Sequence, residues 1–290
     1  MRRLLLAAVI FGAGSGAQAA DMPDFLRGSI PPALSTSTRN WDGWYAGGQV
    51  DYTTGQADFS RSVVGLTNFV FRNSVLGTPV SQLGLLPKTT MQGAGFGAFV
   101  GRNYQWDDLV FGLEANYNHL NRIGTHTTAS NVLLFPGEAA PPGHSYTYRV
   151  ALSGTAAVQI KDMITFRGRA GWATGNFLPY VFGGLAVGRM DASRTVTSVV
   201  SKRDDVTTTD IFGNTTTTIG AYFPVPSQST TIREQRANGL VGGWTGGLGG
   251  EYMVWNGLFL RAEWEYIKFL SVKDTIISTN SLRAGLGYKF

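Results

Sequence analysis

The chain of 290 residues contains no cysteine and only three histidines. Without cysteine it can form no disulfide framework, no thiol nucleophile and no zinc ribbon, and three histidines leave little scope for a metal site. Charged residues are also few, at 15%. No segment is apolar over the roughly 18 residues that a transmembrane helix needs, so we expect the mature chain to lack one.

Glycine and aromatic residues are abundant by comparison. The chain has 38 glycines, and 12% of its residues are aromatic. The hydrophobic fraction of 43% lies slightly below the usual range. This composition excludes an apolar helical membrane protein and a charged disordered chain, and it indicates β-structure.

The first 19 residues have the pattern of a secretory signal peptide. Arg2 and Arg3 form a charged start, residues 4–11 form an apolar core, and residues 17–19 are a small-residue cleavage site. We expect the mature chain to begin at Ala20 and to carry a formal charge of 22 − 19 = +3. So mild a charge on an exported protein argues against a nucleic-acid partner.

The mature chain divides into two parts. Residues 20–42, which contain three prolines, are expected to form a loose periplasmic segment. Residues 43–290 contain segments that alternate with period two, where one face is apolar and the other carries glycine and charge. In the last segment Leu282, Ala284, Leu286, Tyr288 and Phe290 alternate with Arg283, Gly285, Gly287 and Lys289.

Two architectures produce this alternation. In a soluble periplasmic sandwich the apolar face would be the core, whereas in an outer-membrane barrel it would face lipid. The barrel is favoured because glycine is concentrated on the polar face, where a narrow barrel leaves little room. Aromatic residues also lie near strand ends, as membrane girdles require. The predicted periplasmic girdle consists of Trp44, Trp106, Trp172, Trp255 and Phe290, with Trp41 beside them.

Eight strands are predicted, at about residues 44–54, 91–105, 109–120, 155–174, 177–190, 240–254, 258–270 and 281–290. Their connections alternate long and short, which is the outer-membrane pattern of long extracellular loops and short periplasmic turns. A turn at Asp162 would instead give nine or ten strands. We prefer one long strand, because apolar even positions run in phase from Val158 and Ile160 to Ile164 and Phe166.

The longest connection, 191–239, contains runs of threonine around Gly213 and Asn214. This pattern predicts a β-hairpin rising above the rim, with disorder as the alternative.

The turns determine which charged side chains face the lumen. The three-residue turn 255–257 places Glu251 opposite Arg261, with both pointing inward. Because buried charges must be paired and an eight-stranded interior barely holds its own side chains, we predict a cross-linked plug rather than an open pore. The predicted lumen network is Asp51, Glu114, Arg167, Arg169, Glu251, Arg261, Glu263, Glu265, Arg283 and Lys289.

Six motifs follow one another along the strands: WDGWYAGG at 41–48, FRGRAGW at 166–172, LPYV at 178–181, GWTGG at 243–247, AEWEY at 262–266 and LRAGLGYKF at 282–290. Their order and spacing resemble those of the RopB-like family of small outer-membrane proteins from α-proteobacteria, within the porin-like and OmpA-like barrel group. The resemblance covers the strands and not the loops. The terminal Phe290 is similar to the signature that marks such chains for the outer-membrane assembly machinery.

No catalytic, cofactor-binding or metal site is expected. His119, His126 and His144 lie at or in the second long loop with no carboxylate at a recognisable spacing, and we interpret them as solvated. Residues 93–98 match a dinucleotide fingerprint by spelling only, since no helix is expected to follow them.

Basic residues of the predicted loops are of the type that pairs with lipopolysaccharide phosphates, and an ordinary solvated surface is the alternative. They are Arg61, Arg72, Arg122, Arg194, Lys202, Arg203, Arg233 and Arg236.

The sequence thus predicts an all-β, eight-stranded antiparallel transmembrane barrel, over residues 43–290, in the outer membrane of a Gram-negative bacterium. We hypothesise a structural protein that supports envelope integrity and presents surface loops. A narrow porin for small solutes is the first alternative, and a loop-borne adhesin or host-interaction surface is the second. The expected partners are outer-membrane lipid, lipopolysaccharide and the assembly machinery that recognises the C-terminal strand.

Overall fold

The computed structural model describes residues 39–72, 76, 85–138 and 140–290, without the side chain of Arg122. The predicted signal peptide, 1–19, and most of the segment 20–42 lie outside the described residues. None of the helices in this described part has the length and apolar character needed to cross a bilayer.

Eight long antiparallel strands form a closed ring. In chain order the elements are β1 Gly43–Asp58, α1 Val64–Phe71, β2 Lys88–Trp106, β3 Leu109–Pro136, β4 His144–Trp172, β5 Phe177–Thr209, β6 Thr215–Thr218, β7 Tyr222–Pro224, β8 Thr230–Met253, β9 Leu258–Phe269 and β10 Ile276–Lys289. β1 pairs with β2, each later long strand pairs with the long strand before it, and the last pairs back to β1, so the predicted eight-stranded barrel is confirmed. The short β6, β7 and a 3-10 turn at Pro226–Gln228 lie in the connection between β5 and β8.

The connections at one end of the barrel, here called the turn end, are tight turns. Between β4 and β5, Thr174 and Phe177 exchange backbone hydrogen bonds of 2.8 and 3.0 Å. Gly175 between them has φ +58°, as a type II′ turn requires at its first central position. Gly257 ends the β8–β9 turn with φ +88°. Glycine enters this backbone region without strain, so these two residues determine where the hairpins turn.

At the other end the strands are much longer than the sequence predicts. β3 continues to Pro136 and β4 begins at His144, so the predicted loop is reduced to residues 137–143. β5 continues into a hairpin with β6, where Thr207 faces Thr217. The predicted hairpin is therefore confirmed, and disorder there is wrong. Threonine-rich composition suggested loops, but β-branched threonine also favours strands.

These extensions form a sheet beyond the barrel, which we call the distal sheet. It consists of residues 123–136 of β3, 144–160 of β4, 192–209 of β5 and 230–236 of β8. The short strands β6 and β7 pair with the far end of β5. The chain therefore builds two ordered parts on the same strands, the barrel and the distal sheet.

Bulges separate the barrel from the distal sheet. The register of β4 shifts between Ile160 and Asp162, and similar shifts interrupt β3 and the β5–β8 pairing beside it. One extra residue reverses the faces of a strand. Val158 and Ile160 point inward and are at most 3% exposed, whereas Phe166 points outward and is 58% exposed. β4 thus continues through Asp162 as predicted, but the prediction that its even positions stay in phase is wrong.

The interior is filled in three layers. An aromatic floor at the turn end contains Trp41, Tyr45, Phe99, Tyr180, Phe182 and Phe259. Charged side chains form the middle layer. An apolar plug fills the distal end, where helix α1 and its flanks pack against the inner face of the strands through Phe59, Val63, Leu66, Phe71 and Leu86.

Inward and outward glycines differ in the space around them. Gly184 points inward, and a Cβ there would collide with the β4 backbone at Phe166 and Arg167. Its neighbour Gly183 points outward, and a Cβ there would only touch the carbonyl oxygen of Thr245, at 3.7 Å. Close packing therefore demands glycine on the inward face and not on the outward one.

The replacement Gly184→Ala should destabilise the barrel by about 1–3 kcal/mol through overpacking, whereas Gly183→Ala should change stability by less than about 0.5 kcal/mol. The measurement is the temperature at which the refolded protein loses its heat-modifiable mobility on a gel. Equal temperatures for the two variants would contradict the packing argument.

Candidate functional site

The middle layer of the lumen is a cluster of charged side chains. They occupy inward positions of β3, β4, β8, β9 and β10, where the alternation of the strands brings them together. Each side chain is at most 1% exposed. We call this set the lumen charge cluster: Glu114, Arg167, Arg169, Glu251, Arg261, Glu263, Glu265 and Arg283.

Glu114 lies at the centre of the lumen charge cluster. Its carboxylate accepts hydrogen bonds from Arg167 Nε at 2.9 Å, from Arg261 Nη2 at 2.6 Å and from Arg169 Nη1 at 3.3 Å. The Tyr45 hydroxyl donates another at 2.7 Å. One buried carboxylate thus holds three guanidinium groups from two strands, and charge-assisted hydrogen bonds compensate its desolvation.

Glu251 and Arg261 face each other across the β8–β9 hairpin. Arg261 Nε donates to Glu251 at 3.0 Å. Arg169 donates to the same carboxylate through both terminal nitrogens, each at 2.8 Å. This forked geometry is the strongest arrangement of an arginine on a carboxylate, and it joins β4 to the hairpin across the lumen.

The two remaining glutamates complete the balance of charge. Arg167 Nη2 donates to Glu263 Oε1 at 2.6 Å. Glu265 forms an ion pair with Arg283 and accepts a hydrogen bond of 2.8 Å from Thr245. Four glutamates thus face four arginines, so the layer has no single sign of charge with which to select ions.

Two residues of the predicted network form no ion pair with the described side chains of this cluster. Asp51 is 5% exposed and lies opposite Arg283 in the pairing of β1 with β10. The Thr53 hydroxyl donates a hydrogen bond of 2.9 Å to the Asp51 carboxylate. Lys289 is half-buried at the turn end, where its Nζ donates to the Asp42 carbonyl oxygen at 2.9 Å. Lys289 therefore belongs to the rim rather than to the network, because β10 ends there.

Aromatic rings of the floor lie against the guanidinium groups. The Arg261 Cζ atom is 3.7 Å from the Phe99 ring centroid, and the Arg169 Cζ atom is 4.0 Å from that of Tyr180. Such contacts are strongest where water is absent. The turn at 175–176 places Tyr180 inward from the sequence alone, but its contact with Arg169 was not predicted.

The predicted girdle residues lie on the outer surface at the turn end. Trp41 differs from them, since it is 1% exposed and its backbone nitrogen donates to Gln105 Oε1 at 2.6 Å. It closes the aromatic floor, because it shares the inward phase of Tyr45. The residues more than half exposed are Trp44, Trp106, Trp172, Trp255 and Phe290.

The connection between β1 and β2 closes the distal mouth of the barrel. Leu66 and Phe71 of α1 are buried in the apolar plug. Arg194 of β5 holds this connection by donating to the Ser62 carbonyl oxygen, and it also donates to the Glu234 carboxylate of β8 at 2.9 Å. The burial of Arg194 excludes the lipopolysaccharide contact that the sequence predicted for it.

The other predicted lipopolysaccharide residues are spread over the distal end. Lys202 pairs with Glu138 at 2.9 Å, and Arg203 pairs with Asp205 at 2.8 Å. The hydrogen bond from Lys202 holds the pKa of Glu138 below its usual value. The side chain of Arg122 lies outside the described residues. Those on the exposed surface are Arg61, Arg72, Arg233 and Arg236.

Two of the three histidines have carboxylate partners, contrary to the prediction. His119 Nδ1 lies 2.8 Å from Asp162 Oδ1, and His144 Nδ1 lies 2.8 Å from Asp204 Oδ2. Both pairs join neighbouring strands, so their spacing in sequence conceals them. His126 is exposed on β3. Within the described ranges, no group of three or more histidine or acidic residues could hold a metal ion.

The barrel, its girdle and its inward charges agree with a known family. The family model for the outer membrane protein beta-barrel domain matches residues 5–290. The chain belongs to this family. In such proteins the short turns face the periplasm, so the distal sheet of this family member is extracellular. No curated protein matches the sequence.

The chain is similar to several solved structures at low sequence identity. Neisserial surface protein A is 16% identical with a TM-score of 0.28, over 86% of this chain and 97% of that one. Ail, the attachment invasion locus protein of Yersinia pestis, is 10% identical with a TM-score of 0.28, over 85% and 99%. The N-terminal barrel domain of Pseudomonas aeruginosa OprF is 11% identical with a TM-score of 0.24, over 83% and 99%.

Removing Arg261 should leave Glu114 and Glu251 short of a partner inside the barrel. Arg261→Ala should therefore lower the free energy of unfolding by about 3–5 kcal/mol. The control is Lys268→Ala on the same strand, whose exposed side chain should contribute less than about 0.5 kcal/mol. Urea titration of the refolded protein, followed by tryptophan fluorescence, measures both, and an unchanged midpoint for Arg261→Ala would contradict the assigned role.

Proposed function

We propose that this protein is a sealed, non-enzymatic structural barrel that supports the outer membrane and holds the distal sheet outside the cell. The observation that carries the proposal is the filling of the lumen by three successive layers. A diffusion pore needs a continuous path for water. Here the aromatic floor, the lumen charge cluster and the apolar plug all lie across the axis of the barrel.

A sealed lumen suits a structural role. An eight-stranded barrel has just enough interior for its own side chains, and here ion pairs join β3, β4, β8, β9 and β10 across it. The outward face matches lipid, with Val181 and Leu185 more than half exposed. Such a barrel anchors itself firmly in the bilayer without creating a leak for ions.

The two alternative functions, a narrow porin and an adhesin, require different parts of the structure. A narrow porin would require all three layers to open, including a charge cluster whose partners are fully buried. An adhesin or host-interaction surface requires only the distal sheet, whose length favours this as a second function of the same molecule.

We propose that lipopolysaccharide binds at the outer rim of the apolar band rather than at the far loops. Arg189 and Lys268 are exposed at the distal ends of the barrel parts of β5 and β9. Lys202 and Arg203, by contrast, lie about 40 Å further along β5, beyond the reach of phosphates at the lipid surface. Arginine and lysine at the rim can pair with those phosphates.

Three finer assignments are also proposals. The six strand motifs support membership of the RopB-like family, and the exposed Phe290 supports recognition of β10 by the assembly machinery. Cleavage of the signal peptide after Ala19 is tested by N-terminal sequencing of the protein isolated from outer membranes, where a start other than Ala20 would contradict it.

The double variant Arg189→Ala with Lys268→Ala should lower the affinity for lipopolysaccharide by about tenfold, since two charge-assisted contacts are lost. The matched control, Lys202→Ala with Arg203→Ala, removes the same charge and should have little effect. Binding is measured at two salt concentrations, because phosphate contacts weaken with ionic strength. Equal losses for the two double variants would reject the rim site.

The refolded protein should give no unitary conductance steps in a planar lipid bilayer. A variant in which residues 60–86 are replaced by a short glycine-serine linker should also stay silent, because the charge cluster and the floor still seal the lumen. A heat-modifiable gel shift shows that each barrel is closed. Reproducible steps from the wild type would establish the porin alternative, and steps from the variant alone would make the β1–β2 connection the seal.

A further inference from the structure

The distal sheet has two lateral edges formed by β3 and β8. The pairing of β2 with β3 stops at Gly95 and Leu120, and among the described residues no strand continues it along residues 125–136. The pairing of β8 with β9 likewise stops at Gly243 and Phe269. Beyond these points β3 pairs only with β4, and β8 pairs only with β5, among the described residues.

An unpaired edge presents backbone donors and acceptors that only another extended chain can satisfy in a regular way. Residues 125–136 extend over about 40 Å at the usual rise of a strand. About half of their N–H and C=O groups point away from β4, which binds the other half. The chemistry of this edge therefore matches a β-strand.

The two edges differ in protection against such pairing. The β8 edge carries Arg233, Glu234 and Arg236, and Asn238 interrupts it with φ +51°. Charges and bulges of this kind block the addition of a strand. The β3 edge has neither lysine, arginine, acid nor proline from 123 to 135, and its Val132 and Leu134 are 51% and 63% exposed.

We propose that the β3 edge at residues 125–136 binds an extended segment of another protein as an added β-strand. The fitting partner is uncharged and carries apolar side chains at every second position, which would cover Val132 and Leu134 on the outer face. The inference rests on the surface-display part of the proposed function and does not depend on whether the lumen conducts.

A second copy in the same membrane is a poor occupant of this edge. Two barrels in one bilayer are related by an axis along the membrane normal, so both β3 edges run away from the membrane. Because barrel strands tilt by about 40°, the two edges would cross instead of lying side by side. A free segment of another chain has no such restriction.

The test uses the full refolded chain and a fluorescent peptide of sequence VALSGTAAVQI, which repeats residues 150–160 of β4, the natural partner of residues 123–133. The peptide should bind saturably and should protect amides of residues 125–136 from deuterium exchange. A peptide with proline in place of its threonine and of its third alanine should not bind, because it cannot form the ladder.

Matched edge variants locate the site. Thr128→Lys with Ser130→Lys should weaken peptide binding by about tenfold or more, and Thr231→Lys with Gln235→Lys on the β8 edge should change it less than about twofold. All four positions are exposed, and a heat-modifiable gel shift verifies folding. Because backbone hydrogen bonds dominate this kind of binding, absence of saturable binding overturns the proposal. Protection of every amide of 125–136 without peptide, or equal losses in both variants, also overturns it.

Discussion

Closing eight strands leaves an interior that is barely wider than the side chains pointing into it. Every inward position must then be glycine, or must fit against a neighbour from another strand. Gly184 lies against the β4 backbone, and the rings of Phe99 and Tyr180 lie against arginines. The charges obey the same restriction, since their side chains are at most 1% exposed and need opposite charges to compensate for the lost solvation.

The pairing of those charges explains why the strands of the barrel adopt a single register. A shift of one residue between neighbouring strands would turn an inward arginine toward lipid and leave its glutamate buried alone. Glu114 makes this restriction long-range, because it is bound by Arg167 and Arg169 of β4 and by Arg261 of β9. The cluster thus fixes the register of strands that do not touch each other in the sheet.

The sequence contained enough to predict the ring, the turns and most inward positions. Period-two alternation is local, so Glu251 and Arg261 could be paired from the length of their hairpin alone. The bulge after Ile160 could not be predicted. The inward face of β4 before the bulge and its outward face after it are both apolar, so the apolar residues stay on even positions and the extra residue leaves no signature in the sequence. The pairs His119–Asp162 and Arg194–Glu234 were missed because they depend on registers between distant segments.

β4 carries opposite patterns on the two sides of its bulge, and the change of solvent explains the reversal. Within the bilayer the outside must be apolar, so a polar interior is what distinguishes the two faces and sets the register. Beyond the bilayer the outside meets water, and the interior becomes the apolar side, as Val158 and Ile160 show. In β4 the apolar residues stay on even positions, and the bulge of one residue changes those positions from inward to lipid-facing. β5 crosses the same boundary without a reversal, since its even positions point inward from Tyr180 to Val200.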